Sequence, residues 1–265
     1  MKNKIKYVKL FPNNNKKSRN QALILKEKLE KNGFVIDNNK FSLAIAIGGD
    51  GSFIRMVKDC NFDEDIYYLG VNTGTLGFAQ EIYPDEVDTF LERLKKEDYK
   101  IEEIGVEETR VKTKEGILEF NSLNEILVRD KELNTIKLNI LIDENKLEGF
   151  VGDGILVSTS FGSSAYNLSF GGSIVYSDLH TMQITPVAPL NNKSYKVLKN
   201  SVVIPESRIV SLIPKDFSNQ LMITVDGENK SYNDVQKIEI SVKKKISFLR
   251  MTEYDYTKKI NEKFL

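Results

Sequence analysis

Asp50 stands between Gly49 and Gly51 in the stretch AIAIGGDGSF, residues 44–53, at the end of an apolar run. Glycines directly after a buried strand let the backbone turn sharply and approach a phosphate, since they lack a Cβ and tolerate positive φ. A carboxylate is electrostatically wrong for holding an anion in such a loop. The chemistry that suits it is taking a proton from a hydroxyl, or holding Mg²⁺. The spacing G-G-D-G is neither the G-x-G-x-x-G of a dinucleotide fold nor the G-x-x-x-x-G-K-[ST] of a P-loop, so neither mechanism transfers directly. The bland alternative is that Asp50 caps a helix beginning within SFIRMVKDC.

Three further stretches bear on that choice. NTGTLGF, residues 72–78, is a second glycine-rich loop after a second apolar strand, and two such loops open at the same C-terminal edge of a parallel sheet, where α/β ligand crevices lie. GDG, residues 152–154, precedes the strand-like ILVSTS and then FGSSAYNLSFGG, residues 161–172, which offers backbone N–H groups and small hydroxyls without bulk. LNEILV sets Asn124 and Glu125 inside an apolar strand, where a polar pair needs a partner. With one histidine, His180, and no G-x-S-x-G setting, a hydrolase triad has little to be built from, and acid–base work falls to carboxylates.

These stretches need a scaffold. From Lys4 to about Lys100 apolar runs alternate with helical periodicity: IKYVKLF as a strand, KKSRNQALILKEKLEKNG as a helix with Ala22, Leu23, Leu25 and Leu29 near one face and Gly33 as its stop, then SLAIAIG and IYYLGVN as buried parallel strands, and DEVDTFLERLKK as a helix entered at Pro84. From about Ile101 short alternating segments take over, with Lys114-Glu115-Gly116 and Asp143-Glu144-Asn145 as hairpin turns. The reading is an α/β domain with a mostly parallel open sheet over 1–100, an all-β, sandwich-like domain over 101–244, and a tail, 245–265, returning to the first domain.

Composition sets limits. The chain has 265 residues, 40% of them hydrophobic, and 38 basic residues balance 38 acidic ones, so no global field draws it to nucleic acid or an anionic membrane. A single cysteine, Cys60, excludes an intramolecular disulfide and a clustered zinc site. The N-terminus lacks a signal-peptide pattern and no long apolar run occurs, so a cytoplasmic location is expected.

Taken together, GGDGS (48–52), NTGTLGF (72–78), NE (124–125), GDGILVSTSFGSSAYNLSFGG (152–172), TPVAPL (185–190) and VDG (225–227) resemble, in this order, the motifs of the bacterial NAD kinases. The resemblance implies a transferase that moves the γ-phosphoryl of ATP to the 2′-hydroxyl of the adenosine ribose of NAD, making NADP with Mg²⁺. It implies Asp50 as general base, with Gly48, Gly49, Gly51 and Ser52 as the phosphate loop. It implies NAD contacts at Asp50, Gly51, Asn72, Phe78 (an apolar wall for adenine), Asn124, Glu125, Asp153 (toward a neighbouring subunit's nucleotide), Ser163, Ser164, Tyr166, Ala188 and Asn192, with Asp226 matching a less distinctive motif. No residue is assigned as a metal ligand. A homotetramer or homodimer is implied, with no nucleic-acid or membrane partner. Departures are Ser52 where threonine is usual, Ser160 and Phe161 where proline and threonine are common, Val151 where some relatives are basic, and Leu190 where histidine is frequent. Two rivals stand beside this reading: a lipid kinase of the wider GGDG superfamily, for which no acyl slot is visible, and a non-catalytic NAD sensor.

Overall fold

The computed structural model describes residues 5–74, 77–216 and 220–265; Thr75 and Leu76 of the second glycine-rich loop lie outside them. The chain divides into two compact units, 1–103 with 246–265, and 104–245.

In the first unit the order is β1 (Tyr7–Pro12), α1 (Lys16–Lys31), β2 (Val35–Ile36), β3 (Leu43–Gly48), α2 (Asp50–Asp59), β4 (Tyr67–Asn72), a 3₁₀ turn (Pro84–Glu86) and α3 (Val87–Lys96). The chain end adds the last residues of β16 (Lys237–Arg250) and α5 (Tyr256–Phe264). The strands lie in the order β2-β1-β3-β4-β16, all parallel, with Ser247 and Phe248 of β16 beside Tyr67 and Tyr68. Every residue of β3 is buried, as its unbroken apolar run predicts for a strand covered on both faces. Asn15 caps α1 by accepting the Ser18 N–H at 2.8 Å, and Gly33 follows the helix at φ 87°, a left-handed value that favours glycine.

The buried face of α1 carries Ser18, Leu25 and Leu29, while Leu23, expected on that face, is 64% exposed. Positions 18, 22, 25 and 29 keep the helical spacing of three and four, and 23 falls one residue, about 100°, away. Arg250 at the end of β16 is buried and bonded to two carboxylates, Glu81 at 3.1 Å and Glu102 at 2.7 Å.

The second unit is built from β5 (Lys100–Lys112, which starts in the first unit), β6 (Ile117–Ser122), β7 (Glu125–Asp130), β8 (Ile136–Ile142), β9 (Asn145–Gly152), β10 (Gly154–Thr159), α4 (Tyr166–Ser169), β11 (Thr181–Val187), β12 (Val202–Pro205), β13 (Val210–Pro214), β14 (Leu221–Val225) and β15 (Glu228–Tyr232), with the first part of β16. One antiparallel sheet has the order β12-β11-β10-β7-β14-β15. A second antiparallel group joins β9, β8, β13 and β16. Ile126, Val128, Ile155, Val157 and Ile223 of the former share one core with Leu138, Ile140, Phe150, Val210 and Leu212 of the latter, which is the alternating inward pattern of a sandwich.

Two further details differ from the sequence reading. The β8–β9 turn uses only Asp143 and Glu144, at φ 48° and 66°, and Asn145 already belongs to the strand. The signature is that of a two-residue hairpin with positive φ at both positions. Short helical turns, Phe161–Ser164 and α4, interrupt the all-β half where glycine and small hydroxyls lower strand preference.

Candidate active site

In the first unit α2 begins inside the glycine motif. Gly49, which has no side chain to cap with, is its N-cap, and Asp50 is its first residue. Its carboxylate reaches instead to the second glycine-rich loop, accepting the Phe78 N–H at Oδ2 and the Ala79 N–H at Oδ1, each at 3.0 Å. Lys263 of α5 brings its Nζ to 3.4 Å from Oδ2. Two backbone donors and an ammonium therefore fix the orientation of a partly exposed carboxylate at a helix N-terminus, where the dipole favours negative charge. Each carboxylate oxygen has two acceptor sites, so these bonds leave capacity for a substrate hydroxyl.

The glycines act differently from the expectation of positive φ, since none of Gly48, Gly49 and Gly51 is left-handed. A Cβ at Gly48 would collide with the Ser52 side chain, which is buried beneath it. At Gly49 and Gly51 a Cβ would meet nothing within 4 Å, so their bareness keeps the approach to the α2 N-terminus open, the usual setting for phosphate. Gly77 was missed: a Cβ there would run into the Asp50 carboxylate.

Asn72 ends β4, buried, with Oδ1 accepting the Gly74 N–H at 3.0 Å and Nδ2 without a hydrogen-bond partner among the described residues. Phe78 does not stand as an open wall. Its ring is buried, 5.7 Å from Tyr256, 5.5 Å from Phe264 and 4.6 Å from Lys263 Nζ, while its backbone N–H holds Asp50.

In the second unit Asn124 lies in a bend just before β7 and Glu125 is the first strand residue, so the pair sits at a strand end and not inside one. The Asp226 carboxylate accepts the backbone N–H groups of Leu123 (2.9 Å), Asn124 (2.8 Å) and Glu125 (3.3 Å). Glu125 is buried, and its Oε2 has no hydrogen-bond partner among the described residues. Burial, then the charge of Asp226, push its carboxyl up to about 8, against the opposing pull of the Tyr166 backbone N–H. Glu107 of β5, fully buried and bonded to Ser122 Oγ at 2.9 Å, is raised well above the usual range by burial, with Asp226 and Glu125 adding to it. It is the second group the sequence reading missed.

Ser163 is buried, donating to the Val175 carbonyl at 3.1 Å and accepting the Val175 N–H at 2.9 Å, so its hydroxyl ties the loop together. Gly162 packs directly on the Asn124 backbone, where a Cβ would clash. Ser164 is nearly buried, whereas Tyr166 is 43% exposed with its ring 4.7 Å from Phe170. Asp153, at the β9–β10 corner, is exposed. Ala188 is exposed and left-handed at φ 42°. Asn192 is exposed too, its Oδ1 accepting the Ser194 and Tyr195 N–H groups. Val151 is buried. Cys60 ends α2 as its C-cap, its thiol pushed up to about 11 by burial. His180 stands 3.8 Å from Glu206. Among the described residues no three His, Cys, Asp or Glu side chains converge as a metal site, and no helix is long and apolar enough to cross a membrane.

Two family models match the chain: the ATP-NAD kinase N-terminal domain over residues 6–99 and the ATP-NAD kinase C-terminal domain over residues 123–251. An NAD kinase of Finegoldia magna is 38% identical, with all of both chains covered. NAD kinase 2 of Bacillus subtilis is 30% identical, covering 97% of each. Among solved structures, yeast NADH kinase complexed with NADH superposes with a TM-score of 0.87 at 20% identity, over 98% of this chain and 88% of that one. An NAD kinase from Archaeoglobus fulgidus in complex with ATP gives 0.71 at 19% identity, over 97% and 98%. At those identities the two structures speak for the fold.

Proposed function

The chain belongs to the NAD kinase family, and from that premise we propose that it is a phosphotransferase in which Asp50 takes the proton from the 2′-hydroxyl of the adenosine ribose of NAD while that oxygen attacks the γ-phosphorus of ATP. The new O–P bond gives NADP, the bond to the β-phosphate breaks and ADP leaves. A ribose hydroxyl is far too weak an acid to be ionised at neutral pH, so a carboxylate within hydrogen-bond reach has to accept its proton as bonding proceeds. The observation that carries this role is the setting of Asp50, oriented by the Phe78 and Ala79 N–H groups at the N-terminus of α2.

The rest of phosphoryl transfer is alignment and charge neutralisation. The open N-terminus of α2 at Gly49 and Gly51 suits the triphosphate, and Ser52 backs the turn. Mg²⁺ suits this reaction as a companion of the ATP phosphates, where it would supply positive charge. Asn124 and Glu125 suit a ribose or the nicotinamide amide. With its carboxyl near 8, Glu125 is mostly protonated at neutral pH and so donates as well as accepts. Asn72, Ser164, Tyr166, Ala188 and Asn192 remain candidate contacts. Exposed Asp153 suits a nucleotide held by a second copy in a homodimer or homotetramer, and cytoplasmic residence agrees with the free thiol of Cys60.

The test is NADP formation from NAD and Mg-ATP by the purified protein, read with an NADP-specific dehydrogenase. Steady NADP production is expected. NAD binding without NADP supports the sensor instead, and phosphorylation of diacylglycerol or a sphingoid base in its place supports the lipid kinase.

A further inference from the structure

The VDG motif forms the β14–β15 turn. Asp226 and Gly227 have φ values of 45° and 83°, the two-residue hairpin in which both central positions are left-handed and Asp-Gly is a favoured pair. Turn-making alone does not use the Asp226 carboxylate. That group faces the bend before β7, and the N–H groups of three consecutive residues, Leu123, Asn124 and Glu125, converge on it. Both carboxylate oxygens are engaged, Oδ2 by Leu123 and Oδ1 by Asn124 and Glu125. Asn124 in turn offers its carbonyl to the Thr159 N–H at 2.9 Å, and Gly162 packs on its backbone. The bend is therefore clamped between β14 and β10, with Asp226 the charged jaw.

We propose that Asp226 is a positioning residue for NAD, holding the Asn124–Glu125 bend in the conformation that presents both side chains to the dinucleotide; this rests on the NAD kinase reading above. Charge-assisted bonds to backbone N–H groups are the stronger kind, and three on one carboxylate fix the bend more tightly than neutral caps would. The groups facing Glu125 are Asp226 from the β14–β15 turn, Glu107 from β5 and the Tyr166 backbone N–H from α4. Two of these three are carboxyl groups. Proton uptake by Glu125 relieves their repulsion and leaves it with an O–H to donate.

Two variants separate side chain from turn. Asp226→Asn keeps a residue that tolerates positive φ and removes the charge; Asp226→Gly keeps the turn and removes the side chain. Equilibrium binding of NAD to wild type and both variants is measured from pH 6 to 10, with folding checked by circular dichroism. The expected result is an NAD Kd weakened about tenfold in Asp226→Gly and about threefold in Asp226→Asn, with KM rising more than kcat falls. The wild-type binding curve should break near pH 8, and the break should move to lower pH in Asp226→Asn, because removing a like charge eases ionisation of Glu125. A merely structural role would weaken binding evenly without moving the break. Folded variants that bind NAD as wild type does, or a break that stays in place, would overturn the inference. If wild type neither binds nor phosphorylates NAD, the NAD kinase reading fails first, and that outcome is read separately.

Discussion

The two halves of the molecule treat buried carboxylates in opposite ways. In the first unit Glu81 and Glu102 close on the buried guanidinium of Arg250, at 3.1 and 2.7 Å. In the second unit Glu107, Glu125 and Asp226 influence one another, and two of them are pushed upward, Glu125 to about 8. A cation balances charge in one half and protons do so in the other. In the first arrangement burial raises the Glu81 carboxyl while the Arg250 charge pulls it back down, whereas at Glu125 the neighbouring charge of Asp226 adds to the rise. The partly exposed Asp50 has the Lys263 ammonium beside it, while buried Glu125 has Asp226.

Removing the cation should have the largest effect. Arg250→Met leaves the Glu81 carboxylate buried and Glu102 partly buried without their counter-charge and should cost about 3–5 kcal/mol in urea unfolding.

Gly77→Ala puts a methyl group where the Asp50 carboxylate lies, so it should lower kcat by roughly 10²-fold through misplacement of the base. Equilibrium NAD binding, measured alongside, should change much less.

Glu107→Gln keeps an acceptor for Ser122 and removes one of the three carboxyl groups. In wild type the raised pKa values of Glu107 and Glu125 mean that the folded protein holds more protons than the unfolded chain above the ordinary value of 4.5, so stability declines as pH rises through that window up to about 8. The variant should flatten this decline, by about 1 kcal/mol or more at pH 8, in denaturation midpoints compared at pH 5 and pH 8. An unchanged slope would mean that the three groups do not interact as the geometry indicates.

The two halves also differed in how much of them the sequence disclosed. Alternation of apolar runs with helical periodicity marks β1, α1, β3, β4 and α3 because each element writes its burial in its own spacing. The motifs mark Asp50 and Asn124-Glu125 for the same reason: unusual residues in apolar surroundings stand out locally. Partners do not. Lys263 and Asp50 are separated by nearly the whole chain, and nothing near either one announces the other. Glu107 sits in an alternating strand, where a glutamate normally faces water, and only the fold reveals that this face is interior. VDG reads as a hairpin turn, which it is; that its carboxylate clamps the bend at residues 123–125 depends on the register placing Val225 beside Ile126. Leu23 fails for a smaller reason, since a stripe of three or four apolar residues leaves its edge undefined by one position.

The central claim is that Asp50 removes the proton from the hydroxyl that is phosphorylated. The most direct test compares NADP formation from NAD and Mg-ATP by wild type and Asp50→Asn, together with the NAD Kd of each. The amide keeps shape and loses the base, so kcat should fall by about 10³-fold or more while Kd changes little. An Asp50→Asn protein that turns over near the wild-type rate would contradict the account.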